Sequence, residues 1–426
     1  MGEGVLTAGF TRVDGELRCE EIPLDDIAAA AGTPTYVYSA ATLRNRYELL
    51  ESAVASVPHR LHYTLKANST RAVLRLVREL GAGADVVSGG ELYRALRAGF
   101  APEDIIFGGV GKTEAELRQA LETGILLVNA ESEQEILLLD RLGARMDTQA
   151  PVAVRVNPEI SVDAAHHYIR TGERGHKFGV PFDEVVRVAT RAASLPHVRL
   201  LGLDMHLGSQ LSRIDPYRLG TERLVEVHRE LQRRGIDTLR FIDIGGGLGV
   251  RYDTEQPPDL HRFASSVLPL VEETGLQLIM EPGRFIVGNA GLLLTRVLYR
   301  KHSGGKNYII TDAGMTELLR PSHYGAFHRI EAVRRRETRT RADVVGPVCE
   351  SGDFLALDRD VEDVAPGDLL GVFDVGAYGS VMASNYNSRP RAAEVLVDGD
   401  RFAIVTEREG YEDLVRHEVE QPEWRS

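Results

Sequence analysis

The sequence predicts an α/β protein: a (β/α)8 barrel of the TIM type followed by a second, mainly antiparallel β domain. Between about Thr35 and Arg284, eight short β-rich runs alternate with longer segments whose apolar residues recur three and four apart. The runs are continuous in Val, Ile and Leu, as in parallel strands covered on both faces. After Arg284 the texture changes, and strand-like runs follow one another directly.

In chain order, a short β-like run, Val5–Phe10, precedes a helix-like stretch, and residues 1–34 are expected to pack with the C-terminal β domain. The eight barrel strands are expected at Leu61–Leu65, Ala84–Val87, Ile105–Phe107, Ile125–Val128, Val152–Val156, Leu201–Met205, Phe241–Ile244 and Leu278–Met280. Helical periodicity marks Arg71–Leu80, Glu91–Arg97, Glu114–Glu122, Glu131–Leu142, Asp183–Ala193, Tyr217–Arg234 and His261–Thr274. Eight strand–helix units over about 250 residues favour a closed barrel over an open sheet. In the tail, strands are expected at Asn307–Ile310, Val344–Val348, Asp353–Ala356 and Leu369–Asp374, then at Glu394–Val397 and Arg401–Thr406 around the turn signal Asp398-Gly399. The expected domains are thus 1–34, 35–285 and 286–426.

Composition supports a folded protein. Of 426 residues, 43% are hydrophobic and 27% charged, which excludes disordered and low-complexity classes. The net charge is 50 − 63 = −13, so nothing in the overall balance favours nucleic acid or an anionic membrane surface as a partner. No apolar run is long enough to span a bilayer, and Met1 to Glu21 lacks the basic head and apolar stretch of a secretory signal. Two cysteines, Cys19 and Cys349, make no disulfide framework and suit a reducing compartment, so a cytoplasmic protein is expected.

Reactive residue types gather where the strands end. Lys66-Ala67-Asn68 follows the first strand, Ser88-Gly89-Gly90 the second, His206-Leu207-Gly208-Ser209-Gln210 the sixth, Gly245-Gly246-Gly247 the seventh and Glu281-Pro282-Gly283-Arg284 the eighth. The carboxyl face of such a barrel carries the active site, and the loops after strands seven and eight commonly hold phosphate. Glycines admit close backbone approach to an anion, and Arg offers a charged fork. Taken alone, Lys66 is a solvated charge or an amine placed for Schiff-base chemistry. Gly245–Gly247 alone is a turn, and His206 alone a hydrogen-bonded barrel histidine. Together with Glu281 they satisfy what pyridoxal 5'-phosphate requires: a lysine for its aldehyde, a phosphate cradle and an acidic partner for its ring nitrogen.

The segments Tyr63-Thr64-Leu65-Lys66-Ala67-Asn68, Asp85-Val86-Val87-Ser88-Gly89-Gly90-Glu91-Leu92, His176-Lys177-Phe178-Gly179, His206-Leu207-Gly208-Ser209-Gln210, Asp243-Ile244-Gly245-Gly246-Gly247 and Glu281-Pro282-Gly283-Arg284 stand in order along the chain. With them the chain resembles the barrel-type (fold type III) pyridoxal-phosphate-dependent decarboxylases of ornithine, arginine and diaminopimelate. Asp312-Ala313-Gly314-Met315, Leu319-Arg320-Pro321 with Tyr324, Cys349-Glu350-Ser351-Gly352-Asp353 and Gly376-Ala377-Tyr378-Gly379 through Asn385-Tyr386-Asn387-Ser388-Arg389-Pro390 narrow the resemblance to the diaminopimelate branch.

That resemblance implies roles by position. Lys66 would bind the cofactor covalently, His206 would stack on its ring, and Glu281 would pair with its ring nitrogen. Ser209, Gly245, Gly246, Gly247, Gly283, Arg284 and Tyr378 would surround the phosphate. Arg284, Arg320, Tyr324 and Tyr378 would receive the substrate, and Glu350 its distal ammonium. Cys349 would return a proton after CO2 leaves; a thiol near a cation can do acid work near neutral pH. In the family the Cys-Glu pair comes from a neighbouring subunit, which implies a homodimer with shared active sites. The products would be CO2 and L-lysine, made from meso-2,6-diaminopimelate.

Other readings stay open. Cys349 by itself could be an inert packed thiol. His166 and His167 invite a metal reading, but no Cys or carboxylate spacing completes a site and no metal is expected. Arg334-Arg335-Arg336 with Arg339 reads as a solvated loop. The stretch Val162–Ile169 is about one residue shorter than the usual family form, which bears on the loop after the fifth strand. A relative acting on another diamino or carrier-bound amino acid is the alternative enzyme. A non-catalytic pyridoxal-phosphate-binding protein is the alternative class, but it has no use for Cys349-Glu350, Arg320 and Tyr324.

Overall fold

The computed structural model describes residues 9–161, 172 and 175–424. Leu43–Gly288 form one compact unit; the described residues through Thr42, with those from Asn289 onward, form another. His166, His167 and the stretch Val162–Ile169 lie outside the described residues, as do Val5–Ala8.

The first unit is a closed parallel barrel. Its strands are His59–Thr64, Gly83–Val86, Ile105–Phe107, Leu127–Ala130, Ala150–Asn157, Val198–Asp204, Phe241–Asp243 and Gln277–Met280. Each pairs in parallel with the next, and Met280 pairs with Leu61 to close the ring. All eight coincide with the expected runs to within a few residues, since continuous apolar runs suit strands buried on both faces.

The intervening helices start and stop where local chemistry says they should. Ser88 Oγ accepts the Glu91 N–H at 3.2 Å, opening the helix Gly89–Ala98. Thr113 and Glu116 cap each other reciprocally at the start of Glu114–Thr123. Left-handed Gly99, Gly124 and Gly275 end three helices, a conformation that costs glycine little. Apolar faces such as Val73, Leu74, Leu76 and Val77 pack inward, while Ile106, Leu127, Ala153 and Ile279 form a cluster within the barrel unit. Because the eight strands run parallel, the loops that follow them share one face.

The other unit holds a mixed sheet in the order Phe354–Glu362, Arg339–Val345, Lys306–Thr311, Gly291–Ser303, Thr35–Ser39, Ala393–Asp398, Arg401–Thr406. Leu369–Phe373 also pairs with Gly291–Ser303, and with Ile330–Ala332. Two of its pairings are parallel: Lys306–Thr311 with Arg339–Val345, and Thr35–Ser39 with Ala393–Asp398. The others are antiparallel, so the expected character holds in the main. Its core gathers Phe10, Leu17, Cys19, Ile27, Val37, Leu292, Leu294, Phe373, Val395 and Val397. Cys19 is thus a packed thiol, and burial raises its pKa.

Three expectations need correction. Thr35–Ser39, assigned to the barrel from sequence, is a strand of the mixed sheet, because its five buried residues pair with Gly291–Leu294 and with Ala393–Val397. Gly291–Ser303, the longest strand of that sheet, lies where none was expected. The run Val344–Val348 leaves its strand at Val345: the buried Asp353 carboxylate accepts the Val348 N–H at 2.5 Å and draws the chain into a loop. Among the described residues no helix is long and apolar enough to cross a membrane.

Candidate active site

Lys66 follows the first barrel strand in a turn that its neighbours fix. Tyr63 donates its hydroxyl to Asn68 O at 2.9 Å, and Asn68 Oδ1 accepts the Thr70 N–H at 2.9 Å. The Lys66 amine donates to Asp85 Oδ2 at 3.1 Å, with 33% of the lysine side chain exposed and Asp85 buried. The amine is therefore oriented by a carboxylate yet still accessible. Asp85 Oδ1 is buried without a hydrogen-bond partner.

His206 follows the sixth strand. The Gly246 N–H donates to its Nδ1 at 3.2 Å, which assigns the proton of the neutral ring to Nε2. Burial, then the charges of Lys66 and Arg155, push its pKa well down, so the ring is neutral at physiological pH.

Glu281 follows the eighth strand and belongs to a buried acidic cluster. The carboxylates of Asp204, Asp243 and Glu281 offer oxygens within 4.8 Å of one another. Asn129 Nδ2 donates to Glu281 Oε1 at 3.2 Å and to Asp243 Oδ2 at 3.5 Å. Arg155 pairs with Glu131 at 2.5 Å and lies 3.8 Å from Asp204. Burial is the largest cause raising the pKa values of Asp204, Asp243 and Glu281, and neighbouring carboxylates add to it. Like charges this close cannot all ionise, so the cluster retains protons.

The loops after strands six, seven and eight interlock through backbone. Gly245 and Gly247 are left-handed, with φ 69° and 95°. A Cβ on Gly246 would stand 2.0 Å from Glu281 O, and one on Gly283 would stand 2.4 Å from Thr64 Cγ2. The Gly245 amide is spent on Asp243 Oδ1 at 2.9 Å, as Gly246's is on His206. Arg284 is buried and donates to Ser209 Oγ at 3.1 Å and to the Tyr252 hydroxyl at 2.6 Å.

Lys66, His206, Ser209, Gly245, Gly246, Gly247, Glu281 and Gly283 lie on loops at the carboxyl ends of the first, sixth, seventh and eighth strands, and Arg284 opens the short helix that follows the eighth. The chemistry fits pyridoxal phosphate. An accessible amine stands on the same face as an arginine–serine pair, and the crowded carboxylate cluster, with Asp204 Oδ1 unpartnered, suits a protonated ring nitrogen whose charge would relieve its repulsion.

Asp85, Asn129, Glu131, Arg155, Asp204, Asp243 and Tyr252 were not picked out from sequence as site residues. Most carried a signal nonetheless: a polar residue inside a continuous apolar run, as in Leu126-Leu127-Val128-Asn129-Ala130 or Leu201-Gly202-Leu203-Asp204-Met205.

The remaining candidates lie in the other unit. Arg320 and Tyr324 bound a five-residue helix, and the His323 and Tyr324 rings meet edge to face at 4.6 Å. The buried Glu317 carboxylate accepts the Gly314 N–H at 2.8 Å and the Thr316 hydroxyl at 2.9 Å, fixing the turn that leads to Arg320. Cys349 is exposed; its N–H donates to Asn387 Oδ1 at 3.0 Å. Glu350 is exposed beside it. Asp353 accepts the Met315 N–H at 2.6 Å as well as that of Val348, tying the Cys349 loop to the segment that precedes Arg320. Tyr378 is left-handed, with φ 58°.

Residues 40–288 match the family model described as pyridoxal-dependent decarboxylase, pyridoxal binding domain. A diaminopimelate decarboxylase of Pseudomonas aeruginosa is 47% identical over 406 residues, covering 95% of this chain and 97% of that one. The Helicobacter pylori diaminopimelate decarboxylase solved with L-lysine superposes with TM-score 0.89 at 38% identity, covering 92% of this chain and 98% of that one. The M. jannaschii diaminopimelate decarboxylase solved with L-lysine gives TM-score 0.92 at 32% identity, covering 98% and 99%.

Proposed function

The chain belongs to the pyridoxal-dependent decarboxylases, in the branch of the diaminopimelate decarboxylases, and from that premise we infer that it converts meso-2,6-diaminopimelate to L-lysine and CO2. Full-length identity of 47% to a diaminopimelate decarboxylase is the observation that carries this reading.

Bound at the barrel rim, pyridoxal phosphate supplies an electron sink for the carbanion left as CO2 departs. Lys66 is the residue that holds it covalently. Neutral His206, with its Nδ1 engaged by Gly246, would stack on the ring. Glu281 would pair with the ring nitrogen, and the neighbouring carboxylates, whose repulsion adds to burial in raising its pKa, would favour a cation there. Ser209, Gly247, Gly283, Arg284 and Tyr378 would hold the phosphate, while Gly245 and Gly246, their amides engaged by Asp243 and His206, would shape the loop around it. Arg284, Arg320, Tyr324 and Tyr378 receive the substrate, and Glu350 its distal ammonium. The Cys349 thiol delivers the proton to carbon and recovers one from solvent.

The active assembly is a homodimer with shared sites. The exposure of Cys349 and Glu350 in the single chain supports it, since an acid catalyst works best shielded from water. The reaction belongs to the cytoplasm, consistent with two cysteines outside any disulfide.

The test is a CO2-release panel with meso-diaminopimelate, L-ornithine, L-lysine, L-arginine and carboxynorspermidine. Release from diaminopimelate alone, with L-lysine as product, is expected. Release only from another member would reassign the substrate, and release from none would point to a carrier-bound amino acid or to a non-catalytic binder.

A further inference from the structure

The barrel contains a buried polar chain that the roles above do not use. Lys112 lies in the loop after the third strand, with 1% of its side chain exposed. Its ammonium has three N–H donors and meets three acceptors: Gly109 O at 2.8 Å, Asn129 O at 2.8 Å and Glu135 Oε1 at 2.7 Å. Glu135 in turn accepts the Glu131 N–H through its other oxygen at 3.2 Å. Burying an ion pair seldom adds net stability, and its best-supported use is to fix a geometry. What this pair fixes is the main chain of Asn129.

The side chain of Asn129 is also set in an unusual way. Its Nδ2 faces two carboxylates, Glu281 and Asp243, while its Oδ1 is buried without a hydrogen-bond partner. An unpaired buried carbonyl costs stability, so an amide here is poorly explained by packing. Only the donor end has work to do, and it meets the carboxyl assigned to the cofactor's ring nitrogen.

We propose that Asn129, held in place by the buried Lys112–Glu135 pair, is a positioning residue that orients the Glu281 carboxyl toward the cofactor. The proposal rests on the assignment of Glu281 made above. Asn129 acts through Glu281: it anchors Oε1 and thereby decides which oxygen remains for the ring nitrogen.

The test uses the full-length protein resolved of its cofactor and titrated with pyridoxal phosphate. Asn129→Ala and the milder Asn129→Ser should each lose on the order of tenfold in cofactor affinity, the scale of one hydrogen bond to a charged group. Both should displace the pH profile of the bound cofactor's visible absorbance in the same direction as Glu281→Gln. Lys112→Met should move the profile the same way by less, and an unmoved profile would remove the lysine from the proposal. The double variant Asn129→Ala with Glu281→Gln should bind no more weakly than Glu281→Gln alone, because the two act as one unit. Parental affinity and profile in both Asn129 variants, or losses that simply add in the double variant, would overturn it. Glu281→Gln without any spectral or affinity change would instead sink the Glu281 assignment itself.

Discussion

On the first barrel strand, His62 stands opposite Gly83 of the second and is 1% exposed. A Cβ at position 83 would come within 2.6 Å of the His62 ring, so the glycine makes room for the imidazole. Burial is the chief cause that pushes the His62 pKa down from 6.5 to about 4. The unfolded chain binds a proton near pH 6.5 and the folded chain does not, so the stabilising contribution is present above that pH and is lost as pH falls toward 4. The difference is on the order of 3 kcal/mol for this one group. Asp204, Asp243 and Glu281, whose pKa values are raised, act in the opposite sense, so the comparison must be between variant and parent. Urea unfolding at pH 7 and pH 4.5 should show a smaller acid loss in His62→Asn than in the parent; equal losses would clear His62 of the effect. The residue scale also marks a limit of legibility. Lys66, His206, Glu281 and Arg284 were readable because they follow apolar runs, where a barrel exposes its chemistry. Asn129, Asp204 and Asp243 sit within such runs, and only closure of the barrel reveals that they meet.

At the scale of elements, the sequence marks the loop Gly245-Gly246-Gly247 as a phosphate cradle, and its geometry gives it an additional duty. Two of its amides bind His206 and Asp243, and its middle residue is pressed against the loop that carries Glu281. A methyl group at 246 would lie 2.0 Å from backbone oxygen, which cannot swing aside as a side chain could. Gly246→Ala is therefore expected to separate the loops after strands seven and eight and to weaken cofactor retention by at least about tenfold, in the range known for displaced supporting contacts. Gly111→Ala is the control: a Cβ there meets nothing within 4 Å, and retention should match the parent. Equilibrium dialysis of both variants decides it, and parental retention in Gly246→Ala would refute the packing argument. The barrel elements were legible because strand and helix periods alternate cleanly. Gly291–Ser303 was not: its first half is continuously buried and its second half exposed, so neither period persists along it. Thr35–Ser39 likewise reads as one more parallel strand until its partners are known.

For the whole molecule, the proposed site draws on residues far apart in sequence, Lys66 and Cys349. If each site takes its Lys66 from one chain and its Cys349 from the partner, two inactive chains can complement. Lys66→Ala removes the covalent anchor, and Cys349→Ala removes the proton donor while leaving cofactor binding intact. A dimer of one chain of each kind holds one site with both residues native and one site with neither. Random reassociation of equal amounts gives about half mixed dimers, each with one working site of two, so activity should recover to about a quarter of the parental value per chain. If both residues come from one chain, every site in every dimer lacks one of them and mixing restores nothing. The measurement is CO2 release after dissociation and reassociation, with the mixed species verified by tagging the two chains differently. A recovery near a quarter supports the shared site, and no recovery in verified mixed dimers rejects it. The exposed Cys349 tilts the expectation toward sharing, since a thiol that must hand its proton to carbon rather than to water needs cover that the isolated chain does not supply.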